Sequence, residues 1–228
     1  SALLSDSTGI IDVHDLMLNF IVDIEKNNGK VVYNCKVGIE DIINNTIRFT
    51  VNNTQSYSTK IFINSAGLNS HKLAKEISKK KKYFVPYIKY VKGNYIKLSG
   101  KSPFKRLIYP LPSKDGLGIH STINLSNQTI FGPDEEVVEK INYNVNENIV
   151  SKFIKSISSF WPNIISRKVE IDYCGIRTKV DDNDFIIQTF NDHKIKGLVN
   201  LLGIESPGLT SSIPIGNYVT EYCKKYFK

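Results

Sequence analysis

The stretch Leu202-Gly203-Ile204-Glu205-Ser206-Pro207-Gly208-Leu209-Thr210-Ser211-Ser212, near the C-terminus, constrains the fold more than any other. The apolar residues of 197–202 read as a strand. This strand runs into a turn of Gly, Ser and Pro, and the turn opens into an amphipathic helix over 210–226. Small residues at the start of a helix leave backbone N–H groups unpaired, and the helix dipole favours an anion there.

The 228 residues suffice for one large domain or two small ones with a real core. No apolar run reaches the length of a membrane-spanning helix, and no signal peptide is visible. The chain opens Ser1-Ala2-Leu3-Leu4-Ser5 with no initiator Met, so it reads as a fragment. Cys35, Cys174 and Cys223 make no CxxC pair and no metal-ligand spacing, which suits thiols in a reducing compartment. The expected location is the cytoplasm, at most peripheral to the inner face of a membrane, and no metal is expected. The formal net charge of +8 raises the question of nucleic acid. Only Arg48, Arg106, Arg167 and Arg177 are Arg, however, and Lys is accompanied by abundant Asn and Ile. That is a compositional bias, and the run Lys79–Lys82 reads as a solvated loop. Nucleic acid is not an expected partner.

Along the chain, Thr8 or Asp12 caps a predicted helix over 13–27, with Leu16, Phe20, Ile21 and Ile24 at helical spacing. Strands are predicted over 31–37, 39–43, 46–51 and 58–63, then a helix over 70–78. From residue 83 the pattern turns to strands, at 87–98, 106–110, 116–123, 128–132, 169–177 and 185–189, interrupted by one convincing helix at 146–160. The last part returns to strand, turn and helix. The expected fold class is therefore α+β: an incomplete α/β domain, 1–82 with 191–228, carrying an inserted antiparallel-sheet domain, 83–190.

Four places carry candidate chemistry. Ile61-Phe62-Ile63 runs into Asn64-Ser65-Ala66-Gly67 ahead of a helix. Ligands of open α/β sheets sit at such carboxyl ends, and an ordinary tight turn looks the same. In Lys92-Gly93-Asn94-Tyr95 a mid-strand Gly marks a bulge or a close approach, and Tyr95 either points into a site or packs on the sheet. Leu117-Gly118-Ile119-His120-Ser121-Thr122 puts a His in a strand, as a base or as a structural residue. The same block of strands contributes Gly175-Ile176-Arg177, whose guanidinium fork suits a carboxylate, in a chain poor in Arg. The fourth place is the 203–212 turn.

In this order the segments resemble the flavin-dependent oxidoreductases of the D-amino-acid-oxidase superfamily, and among them the L-2-hydroxyglutarate dehydrogenase/oxidase branch. The strings Ser7-Thr8-Gly9-Ile10-Ile11-Asp12, Ile108-Tyr109-Pro110-Leu111-Pro112 and Phe131-Gly132-Pro133 extend the likeness over nearly the whole chain. The family's GxGxxG fingerprint is absent from these 228 residues. The resemblance implies FAD as cofactor. Ala66 and Gly67 would lie on its adenylate side, with Gly203, Pro207, Gly208, Leu209, Thr210 and Ser211 toward the flavin. It implies an L-2-hydroxy acid as substrate, held by Arg177 with Tyr95, and His120 as base. An amino-acid or amine oxidase of the same superfamily, or a non-catalytic interaction module derived from it, are the alternatives. As a fragment the chain is expected to be inactive alone and to associate with itself.

Overall fold

The computed structural model describes residues 2–111, 118–180 and 184–226. Their elements, in chain order, are α1 (Val13–Lys26), β1 (Val37–Ile43), β2 (Thr46–Val51), β3 (Gln55–Thr59), β4 (Phe62–Asn64), α2 (Ser70–Lys80), β5 (Ile88–Leu98), β6 (His120–Ile123), β7 (Thr129–Gly132), β8 (Glu136–Val138), α3 (Ile149–Ser158), β9 (Val169–Val180), β10 (Ile186–Gln188), α4 (Phe190–His193), β11 (Leu198–Leu202) and α5 (Ser212–Lys224). Short 3-10 turns at Gly67–Asn69 and Pro162–Ser166 precede α2 and β9. The fold mixes helix with largely antiparallel sheet.

The chain divides into two compact units. One holds Ser1–Tyr33, Gly93–Glu135 and Tyr143–Gly175; the other holds Asn34–Lys92, Glu136–Asn142 and Ile176–Lys228. This cuts the chain elsewhere than the sequence pattern suggests. Residues 83–92 join the α/β unit because Tyr83 and Tyr90 donate their hydroxyls to Ala74 O and Leu68 O, at 2.9 and 3.2 Å. Residues 3–10 lie along Lys105, Arg106 and Tyr109 instead.

In the first unit, β6, β7 and the second half of β5 form an antiparallel ladder, with His120 opposite Gly132 and Ile96 opposite Phe131. Its core joins Ile96, Leu98, Ile119 and Phe131 to one stripe of α3. Phe153 and Ile157 there are fully buried and Ile149 partly so, the spacing of a single helical face, and Phe160 packs on the same core just beyond the helix. The predicted strand over 106–110 reduces to one bridge, Ile108 to Ser121. Of the strand expected over 116–123, Gly116 and Leu117 lie outside the described residues, as does Pro112.

In the second unit, β1, β2 and β3 make an antiparallel meander, and β10, β11 and β4 make a second sheet. Within it β11 and β4 are parallel, Leu198 facing Phe62 and Asn200 facing Asn64. Parallel strands deliver their following turns to the same sheet edge, so the turns after Asn64 and after Leu202 leave from one end. Helix α5 covers β11 through Ile215, Val219, Tyr222 and Cys223, which pack on Val199, Leu201, Ile187 and Ile61.

Two predicted strands change for local reasons. The 31–37 segment is irregular up to Val37. Asn52 clamps it instead, its Oδ1 accepting from Lys36 N at 2.8 Å and its Nδ2 donating to Asn34 O at 3.0 Å. The 58–63 strand breaks at Lys60 because the Thr59 hydroxyl bonds both Ile61 N, at 3.2 Å, and Ile61 O, at 2.7 Å. Such local bonding competes with a ladder. The chain then leaves β2 and pairs with β11.

Candidate functional site

The turn after β4 is set by a buried amide network. Asn64 Nδ2 donates to Ser70 O at 2.8 Å and to Asn200 Oδ1 at 3.0 Å; its own Oδ1 accepts from Ala66 N at 3.4 Å. Asn200 Nδ2 then donates to Gln188 Oε1 at 3.3 Å and to the Tyr83 hydroxyl at 3.2 Å. Asn64 and Asn200 are essentially inaccessible to water. Burial pushes the Tyr83 phenol up to about 12, against the hydrogen bond from Asn200, so it stays a neutral donor. Ser65, Ala66 and Gly67 come out exposed. Gly67 has φ +54° with open space where a Cβ would stand, and Ala66 lines an open groove of about 670 Å³ with Phe62, Ile63 and Lys72.

At the same sheet edge, β11 ends at Leu202 and Gly203 turns the chain at φ +64°. A Cβ there would stand 2.9 Å from Val180 Cγ1 of β9, so the loop lies tight on that strand. The helix starts at Ser212, two residues later than its pattern suggests, with Ser211 as N-cap. Several turn donors are spent internally. Gly208 N bonds Glu205 O, Ser211 N bonds Pro207 O and Ser212 N bonds Leu209 O. The N–H groups of Leu209, Thr210 and Ile213 have no backbone acceptor among the described residues, and Pro214 has no N–H. An anion at this terminus therefore meets three donors and the helix dipole.

Arg177 lies on β9, its side chain 21% exposed. Its guanidinium makes no hydrogen bond among the described residues and faces one carboxylate, with Nη1 3.6 Å from Glu205 Oε2. Five N–H donors largely removed from water and not used by the described residues suit an anionic ligand. Glu205 was not singled out from the sequence, although one charged residue in a turn of small residues was the available signal.

In the other unit, His120 and Tyr95 come onto one sheet face. His120 is paired with Gly132, and the β5–β7 register puts Tyr95 beside Gly132 on the other side; cross-strand partners share a face. Gly132, at φ +145°, leaves the floor bare. A Cβ on it would stand 2.5 Å from Tyr95 Cδ1. The His120 ring stacks on Tyr109 with centroids 4.4 Å apart, and its Nδ1 lies 3.4 Å from Gly118 O. Tyr95 stacks on Tyr173 at 4.5 Å. Burial, together with Tyr95 and Asp172, pushes the Tyr173 phenol up to about 12. Tyr109 and Tyr173 escaped sequence reasoning because a strand Tyr carries no signal of its partner. Asp134 of the acidic run after Gly132-Pro133 is tied down. It accepts from Asn94 N at 2.8 Å and Asn94 Nδ2 at 2.9 Å, and meets Lys152 at 3.4 Å.

Two adjacent parallel strands shed small-residue turns at one end and the second turn opens a helix, the arrangement in which open α/β sheets carry their ligands. Residues 1–222 match the family of FAD dependent oxidoreductases, and the chain belongs to that family, whose cofactor is FAD. Its sequence is 32% identical to the mitochondrial L-2-hydroxyglutarate dehydrogenase of Arabidopsis thaliana, over 96% of this chain and 55% of that protein. It is 29% identical to a glycerol 3-phosphate dehydrogenase of Caloramator mitchellensis, over 78% of this chain and 36% of that protein. The chain thus spans about half or less of these relatives. In structure it is similar to the dithionite-reduced L-α-glycerophosphate oxidase of Mycoplasma pneumoniae with FAD bound. The TM-score is 0.75 at 21% identity, covering 89% of this chain and 53% of that one. It is also similar to the L-proline dehydrogenase of P. horikoshii, with a TM-score of 0.77 at 17% identity, covering 93% and 55%.

Both turns of the second unit suit such a cofactor: the groove at Ser65 and Ala66 is open, and the N–H groups of Leu209, Thr210 and Ile213 have no backbone acceptor among the described residues.

Proposed function

We propose that this chain is part of an FAD-dependent oxidoreductase that takes hydride from the α-carbon of an L-2-hydroxy acid resembling L-2-hydroxyglutarate. The observation that carries this reading is Arg177: largely buried, with donors that no hydrogen bond among the described residues uses, in a chain 32% identical to an L-2-hydroxyglutarate dehydrogenase. Arg177 binds the substrate carboxylate through its planar fork. His120 takes the hydroxyl proton as general base, a role open to an imidazole. Tyr95, across Gly132 from His120, orients a substrate oxygen. FAD, when bound, supplies the hydride acceptor at flavin N5. Ala66 and Gly67 would hold its adenylate side, and Gly203 with Pro207–Ser211 would hold the flavin. The N–H groups of Leu209, Thr210 and Ile213, with the dipole of α5, stabilise negative charge at that end.

The glycerol 3-phosphate dehydrogenase relative supports a second reading, a phosphate-ester substrate bound by Arg177. Steady-state kinetics of the complete gene product separate the two. With L-2-hydroxyglutarate, Arg177→Ala raises KM about a hundredfold, the size of a lost charge-assisted pair. His120→Ala lowers kcat by about 10²- to 10⁴-fold, the range for a general base. An unchanged KM in Arg177→Ala removes Arg177 from the substrate site. Turnover of glycerol 3-phosphate alone moves the substrate to the second reading.

A further inference from the structure

The Arg177–Glu205 pair raises a question that the proposed carboxylate role leaves open: why a substrate-binding cation should face an anion of its own protein. Glu205 Oε2 lies 3.6 Å from Arg177 Nη1, and the two side chains are 15% and 21% exposed. At that distance the carboxylate meets the guanidinium as a charge and takes none of its hydrogen bonds. Among the described residues the five N–H donors stay available, while the pair's formal charge is zero.

Glu205 does not reach this place by chance of rotamer. Its backbone N–H bonds Gly203 O at 2.9 Å, and its carbonyl accepts from Gly208 N. A Cβ on Gly208 would stand 2.5 Å from Glu205 O, so only Gly lets the turn close here. Gly203 in turn lies against Val180, three residues beyond Arg177 on β9. The loop thus carries the carboxylate on a fixed backbone docked on the strand that carries the arginine.

We infer that Glu205 is a specificity-determining residue that reads the charge of the group bound at Arg177. This rests on Arg177 being the anion-binding residue of the proposed function. Coulomb energy is linear in ligand charge, and partly buried charges are weakly screened. Glu205 therefore repels a dianionic head group twice as strongly, in free energy, as a monoanionic one. A carboxylate uses the free N–H donors at modest cost, whereas a phosphate-ester dianion meets the full penalty. The pair selects carboxylic acids over phosphate esters, the distinction that separates the two relatives.

The test uses acetate and sulfate as monoanionic and dianionic probes, as competitive inhibitors of L-2-hydroxyglutarate turnover by the complete, flavin-loaded gene product. In Glu205→Gln the acetate Ki falls about threefold and the sulfate Ki about tenfold, close to the square of the acetate factor, as linearity in charge requires. Glu205→Asp restores the wild-type ratio of the two Ki values, and Arg177→Ala weakens both anions. Equal factors for acetate and sulfate in Glu205→Gln, or no change in either, overturn the proposal. Flavin content and melting temperature are read for each variant; if Glu205→Gln does not fold, the Ki ratio in Glu205→Ala is decisive by the same criterion. Lack of turnover with any 2-hydroxy acid overturns the functional reading instead. Acetate and sulfate affinities by titration calorimetry then decide on Glu205 separately.

Discussion

Asn200 holds together more of the candidate site than any single residue that chemistry alone would pick. Its amide joins Asn64, Gln188 and Tyr83, all in the interior. Asn200→Ala leaves Asn64 Nδ2, Gln188 Oε1 and the Tyr83 hydroxyl short of a partner. A loss of about 2–4 kcal/mol is expected, measured as a lower urea midpoint together with weaker FAD retention. His193 is a second buried group with a stated consequence. It is 2% exposed, Ile195 N donates to its Nδ1 at 3.1 Å, and burial holds its pKa down at about 4. Its ordinary value is 6.5, so the fold favours the neutral ring. This contribution is fully present above pH 6.5 and is lost as pH falls toward 4. Roughly 2–3 kcal/mol of stability depends on it. His193→Asn, which keeps an acceptor for Ile195 N, flattens the melting-temperature profile over that interval. A profile unchanged by the substitution contradicts the assignment. At this scale the sequence pointed to Arg177 and His120 by residue type, because an Arg in an Arg-poor chain and a strand His are visible as symbols. Glu205 and Asn200 act through partners 28 and 136 residues away, Arg177 and Asn64, and no local pattern carries that information.

Among the elements, the strand–turn–helix at the C-terminus was the most legible, because its apolar strand, small-residue turn and helical stripe are all local signals. Its helix starts only at Ser212 because the carbonyls of Glu205, Pro207 and Leu209 tie the preceding residues into turns. The break at Lys60 was not legible, since strand propensity does not register what the Thr59 hydroxyl does to its own neighbourhood. Nor was the junction between β4 and β11. There Gly197 adopts φ +75°, and a Cβ would stand 1.8 Å from Lys60 O. Phe62 N bonds Gly197 O at 2.9 Å across the same contact. Gly197→Ala forces these backbones apart and is expected to cost at least about 2–3 kcal/mol. Chemical denaturation measures that cost, and a loss below about 1 kcal/mol means the two strands relax freely.

For the molecule as a whole, family membership joins features that separate residues leave ambiguous. Gly203, Pro207 and Gly208 are ordinary turn residues singly, yet together they bring backbone donors and a helix terminus to the edge where β4 also ends. Helix α1 presents an apolar surface. None of its residues is buried, and Met17, Leu18, Phe20, Val22 and Ile24 are exposed. An apolar surface of that kind favours association, so light scattering of the 228-residue chain alone should give a mass above a monomer, and a strictly monomeric species would contradict that. The central claim is a flavoprotein acting on a 2-hydroxy acid. Its most direct test is the visible spectrum of the complete gene product, recorded before and after L-2-hydroxyglutarate is added without oxygen. Flavin bands that bleach on addition are the predicted result; bands that persist contradict the substrate, and a preparation that carries no flavin and takes up none when FAD is added contradicts the account itself.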